Sequence, residues 1–155
     1  MKAISDYTDV GELRQVMANA KRLNKPDVYW EAFERCCELQ GGKYPDPLER
    51  DFYSTLAAYE ELLAEKHGRR QSASRTRQKL RNKGFIACLE DWALDGKRTE
   101  GFETLVKNGH VELTGEYLVT KYPDRFTAKA VENATLVLAM LKVFDPENST
   151  PNPST

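Results

Sequence analysis

The sequence predicts a mainly α-helical protein, a compact multi-helix single domain over residues 1–144, and three observations carry that prediction. Apolar residues recur at steps of three and four along most of the chain, the period of one helix face. Capping residues stand directly before these segments, and glycine or proline directly after them. The composition, 40% hydrophobic and 30% charged over 155 residues, suits one domain with an ordinary buried core.

The first helix is read from "DVGELRQVMANAKRLNKP". Asp9 and Glu12 stand at capping-box spacing, Val10, Leu13, Val16, Met17, Ala20 and Leu23 share a face, and Pro26 ends the segment. "DVYWEAFERCCELQGG" repeats the pattern with Val28, Ala32, Phe33, Cys36 and Leu39, and is stopped by Gly41 and Gly42. In "DPLERDFYSTLAAYEELLAEKHG", Asp46 is the cap, Pro47 takes the first helical position and Glu49 closes the box. Leu48, Phe52, Leu56, Tyr59, Leu62 and Leu63 form its inward stripe. At 1.5 Å per residue this helix is about 30 Å long.

A basic segment follows, with Ser72 or Ser74 as cap and Gly84 as stop. "FIACLEDWAL" then places Phe85, Leu89, Trp92 and Ala93 at helical spacing, and Asp95–Gly96 turns the chain. Thr99 caps a short helix with Phe102, Leu105 and Val106, ending at Asn108–Gly109. The last helix starts after Thr127 and turns Val131, Ala134, Val137, Leu138 and Leu141 inward. From 145 to 155 the polar, proline-bearing tail is expected to be disordered.

Residues 111–119 fit two patterns. A helix starting after Thr114 has a cap, an early glutamate and a stop at Pro123, and is preferred. A short hairpin would turn at Thr114–Gly115 with Val111, Leu113, Tyr117 and Val119 in its strands, like the wing of a winged-helix DNA-binding domain.

Several classes of function lack their signatures. Three cysteines, Cys36, Cys37 and Cys88, are an odd number without zinc-ligand spacing, which suggests reduced thiols in the cytoplasm. The N-terminus has no apolar signal core, and the longest apolar run, Leu136 to Leu141, is too short to span a bilayer. No glycine-rich phosphate loop, nucleophile elbow, zinc or calcium pattern appears, so no cofactor, metal ligand or catalytic residue is assigned. His67 does not follow Glu61 or Glu65 at a ligating step, and His110 reads as a loop residue. Tyr29, Trp30 and Phe33 crowd one helix. Core packing is the preferred explanation, and a homodimer or partner interface the alternative.

The candidate site is "GRRQSASRTRQKLRNKG". From Lys66 to Leu89 there are eight lysines and arginines and no acidic residue, so the rest of the chain holds 15 basic residues against all 24 acidic ones. Such segregation speaks of partners rather than of fold. Arg75, Lys79 and Lys83 line one flank of a narrow stripe of Ala73, Thr76 and Leu80, and Arg77 and Arg81 line the other. Three like-charged pairs at four-residue steps cost about 1 kcal/mol together. Cations at the helix start add to the cost, because the dipole there favours anions. A bound phosphate removes the conflict, and guanidinium forks suit it.

The site assigned for nucleic acid, DNA or RNA, is therefore Arg69, Arg70, Ser72, Ser74, Arg75, Arg77, Lys79, Arg81 and Lys83. Helix, Gly84 and helix loosely resemble a helix-turn-helix, but Glu90 and Asp91 on the second helix favour phosphate contact over base reading. The alternatives are a solvated face paired with Glu60, Glu61 or Glu65, a dock for an acidic protein partner, and an unrecognised hydrolase or nuclease. Membrane-surface binding is disfavoured, since one leucine makes a poor apolar face.

The segments "AAYEELLAEKHGRR" and "ASRTRQKLRNKG" resemble small uncharacterised proteins of bacteria and their prophages that carry an ASRTRQ-type basic segment. The likeness covers roughly Asp46 to Leu94. It implies a bacterial cytoplasmic setting and no particular activity.

Overall fold

The structure, a computed structural model, describes residues 2–96 and 98–144. Among them are eight α-helices and no strand: α1 (Val10–Arg22), α2 (Pro26–Gly41), α3 (Pro47–His67), α4 (Ser74–Lys83), α5 (Phe85–Asp95), α6 (Glu100–Lys107), α7 (Gly115–Lys121) and α8 (Ala128–Phe144). The protein is mainly α. The helices gather into two compact units that part between Arg75 and Thr76. The tail from Asp145, expected to be disordered, lies outside the described residues.

In the first unit α2 packs on both α1 and α3. Its core takes Leu13, Met17 and Ala20 from α1, Ala32, Phe33, Cys36 and Cys37 from α2, and Leu48, Phe52, Leu56 and Ala58 from α3. Because α2 has a helix on either side, it buries a wide arc. That is why Tyr29 and Phe33 are both interior, with Trp30 half-buried and edge-on to each at 4.9 Å. Leu23 and Val28, counted on the inward stripes, are instead exposed: one is the capping residue after α1, the other lies in the first turn of α2. The caps form as the sequence requires. Asp9 accepts from the Gly11 amide at 2.9 Å and Asp46 from the Leu48 amide at 3.0 Å.

In the second unit α5, α7 and α8 pack on one another, and α6 leads through a single 3-10 turn, Val111–Leu113, into α7. Cys88, Leu89, Ala93, Phe102, Leu105, Leu118, Val119, Ala130 and Ala134 form the core. Thr99 accepts from the Phe102 amide at 3.1 Å, and Thr127 from the Ala130 amide at 3.3 Å. Residues 111–119 take the helical course, so there is no hairpin and no wing. Thr114 donates its hydroxyl to the Val111 carbonyl at 2.7 Å, and the same oxygen accepts from the Tyr117 amide at 3.3 Å. Gly115 serves close packing rather than a turn, since a Cβ there would overlap the Trp92 ring. No helix among the described residues is long and apolar enough to cross a membrane.

Candidate nucleic-acid interface

The chain leaves α3 through Gly68, whose φ of 70° is open to glycine and costly for other residues. Arg69 to Ala73 are non-helical, and α4 then runs for ten residues to Gly84, itself at φ 88°. α4 buries none of its residues. Its inner stripe of Thr76 and Leu80 is only half-buried, and the Cys88 thiol lies 3.8 Å from the Thr76 carbonyl. The single residue Gly84 joins α4 to α5, which in contrast carries core residues Cys88, Leu89 and Ala93.

The structure sorts the nine assigned residues by what they already touch. Arg70 is committed to Glu61, donating from Nη1 at 3.0 Å and from Nη2 at 2.7 Å. Lys79 reaches Asp91 at 2.9 Å, and Arg77 is half-buried. Arg69, Arg75, Arg81 and Lys83 are exposed, and their side chains have no partner among the described residues. Ser72 lies in the non-helical stretch and Ser74 opens α4, both exposed. The helical set thus falls on one continuous helix, while Arg69, Arg70 and Ser72 belong to the segment before it. At the helix start the protein's own anion is present: the buried Glu60 carboxylate accepts from the Ala73 amide at 2.8 Å.

Sequence reasoning named Glu61 as a pairing partner but missed Arg14, 47 residues away, which donates to the same carboxylate at 2.9–3.2 Å. The Glu61 side chain is 2% exposed. Burial alone would raise its carboxyl, but the hydrogen bonds from Arg70 and Arg14 reverse this and hold it below its usual range. Beside it is a cleft of about 420 Å³, lined by Arg14, Met17, Lys21, Tyr29, Glu65 and Arg69 among others. Lys21 and the Tyr29 hydroxyl both contact Glu65.

These groups are tied to one another rather than poised for chemistry. Burial pushes Tyr29 up to about 12 and Cys36 up to about 11, and holds Cys37 well above its ordinary value. Such thiols stay protonated near neutrality and are poor nucleophiles. Among the described residues no group of three His, Cys, Asp or Glu side chains could hold a metal ion. His67 is exposed, and His110 Nδ1 lies 3.4 Å from Glu112. Comparison with protein-family models, with curated proteins and with solved structures finds no match to this chain.

Proposed function

We propose that this protein binds nucleic acid without acting on it chemically, mainly through phosphate contacts made by the basic segment 69–83. The observation that carries the reading is α4 itself: a helix with no fully buried residue, on whose surface Arg75, Arg81 and Lys83 have no partner among the described residues. Core packing does not offset the like-charge cost of this helix, and a polyanion does. Arg70 is a structural ion pair in this reading and contributes little to binding. The setting proposed is the bacterial cytoplasm, supported by three free, buried thiols and by the resemblance of Asp46–Leu94.

A second reading has its own support. Arg70, Ala73 and Lys79 already hold carboxylates of Glu61, Glu60 and Asp91, so the same surface suits an acidic protein partner. The deciding experiment is a binding titration against duplex DNA, single strands, structured RNA and polyglutamate between 50 and 200 mM salt. The four cations of the segment without a partner among the described residues, Arg69, Arg75, Arg81 and Lys83, set a log–log slope near −3.6 on duplex DNA, about a 150-fold loss over that range. Equal affinity for polyglutamate would favour the protein partner. Absence of binding to every nucleic acid would sink the reading.

A further inference from the structure

α4 has a third face that charge alone does not explain. At 100° per residue, Ser74, Gln78 and Asn82 follow one another at four-residue steps on the side opposite Thr76 and Leu80. All three are exposed, and their side chains have no hydrogen-bond partner among the described residues. Several other amides on or at the end of a helix satisfy themselves within the chain, although Asn133 on α8, which is half-buried, does not. Gln15 bonds Asn19 at 3.1 Å, Gln40 bonds the Cys36 carbonyl at 3.3 Å, and Asn108 folds back onto the Thr104 carbonyl at 2.8 Å. Gln78 and Asn82 share the four-residue spacing of Gln15 and Asn19, yet point outward without bonding each other.

This face is bounded by cations on both sides, Arg77 and Arg81 on one and Arg75 and Lys79 on the other. Carboxamides add nothing to phosphate attraction, but each offers a donor and an acceptor side by side. That pair matches the N6 and N7 edge of adenine in the major groove. A helix of ten residues is about 15 Å long and 10–12 Å wide with its side chains, and the major groove of B-form DNA is about 12 Å wide. The deep, narrow major groove of duplex RNA does not admit it.

We propose that α4 enters the major groove of duplex DNA, that Gln78 and Asn82 read base edges there, and that Arg75 on one flank and Arg81 on the other grip the phosphates of the two walls. The inference rests on the nucleic-acid reading above and goes beyond it: the ligand is duplex DNA and the binding depends on sequence. It also reverses the order of a helix-turn-helix, because the exposed helix α4 precedes the core helix α5.

The test is selection from a random duplex library by the full-length protein and by Q78A and N82A, with binding to a fixed unselected duplex measured in parallel. The wild type should enrich a short motif containing adenine. Each variant should lose preference at one position by roughly 5- to 150-fold, while its affinity for the unselected duplex, its salt slope and its melting temperature stay unchanged. Binding to the unselected duplex without any enriched motif would overturn base reading and leave phosphate contact intact. A loss of affinity spread evenly over all sequences in Q78A and N82A would overturn it too. No binding to any duplex would overturn the duplex-DNA inference, and the nucleic-acid reading would then rest on single strands and structured RNA.

Discussion

The Glu116 carboxyl is buried at the start of α7, with 6% of the residue exposed and Oε2 without a hydrogen-bond partner among the described residues. Desolvation pushes it up to about 7, above the ordinary value of 4.5. The folded state therefore binds this proton more tightly than the unfolded chain. Its stabilising effect is full below about pH 4.5 and is lost as the pH rises through about 7. Glu116→Gln should remove this component, worth roughly 3 kcal/mol across that window, and leave a flatter stability–pH curve in urea titrations. Glu61 acts in the opposite direction. Its lowered carboxyl stabilises the fold above the unfolded value, and that contribution is lost as the pH falls through the folded one. Arg70→Ala should then cost about 1 kcal/mol, since Arg70 is 51% exposed and partly screened, with no change in the salt slope of DNA binding. Arg75→Ala should do the reverse, flattening the slope by about one unit at no cost in melting temperature. A wild-type slope in Arg75→Ala would show that Arg75 meets no phosphate.

At the scale of the element, the caps at Asp9, Asp46, Thr99, Thr114 and Thr127 were legible because a cap is decided within four residues of chain. The helix after Thr114 was legible for the same reason. The second role of Gly41 was not: α2 does stop there, with Gly41 its last residue and Gly42 its cap, but Gly41 also lies at the point where α2 meets α3. A Cβ there would overlap the Arg50 carbonyl and the Ser54 hydroxyl. Close approach between helices depends on residues nine and thirteen positions away, which periodicity does not report. Gly41→Ala should therefore cost about 1–3 kcal/mol, read as a lower urea midpoint, although alanine has the better helix propensity. A stabilised variant would mean that α2 ends before Gly41. The basic flanks of α4 were legible in the same local way. The commitment of Arg70 to Glu61 beside Arg14 was legible only in part, because one partner lies on α1. The outward amides Gln78 and Asn82 were visible as letters at four-residue spacing. Their lack of a partner among the described residues is a property of the folded chain alone.

For the whole molecule, charge is nearly balanced at −1, yet eight basic residues lie together and the remainder is acidic. Salt then acts on two quantities in opposite senses. In the protein alone, salt screens repulsion among Arg75, Arg77, Lys79, Arg81 and Lys83, so its melting temperature should rise slightly between 50 and 500 mM. In the complex, salt removes the counterion-release term, so whatever stability DNA confers should fall steeply. Duplex DNA at 100 times its dissociation constant stabilises the folded state by about 2.7 kcal/mol. For a chain of 155 residues that corresponds to a rise of roughly 5–10 °C in melting temperature. Melting curves with and without duplex should thus differ by this amount at low salt and converge by 500 mM. Convergence with the protein-alone curve rising is the signature of a phosphate-binding surface under self-repulsion. A duplex-induced rise that persists at 500 mM would place the binding energy in apolar or base contacts instead. A protein-alone melting temperature that falls with salt would show that the pairs Arg70–Glu61 and Lys79–Asp91 outweigh the repulsion along α4.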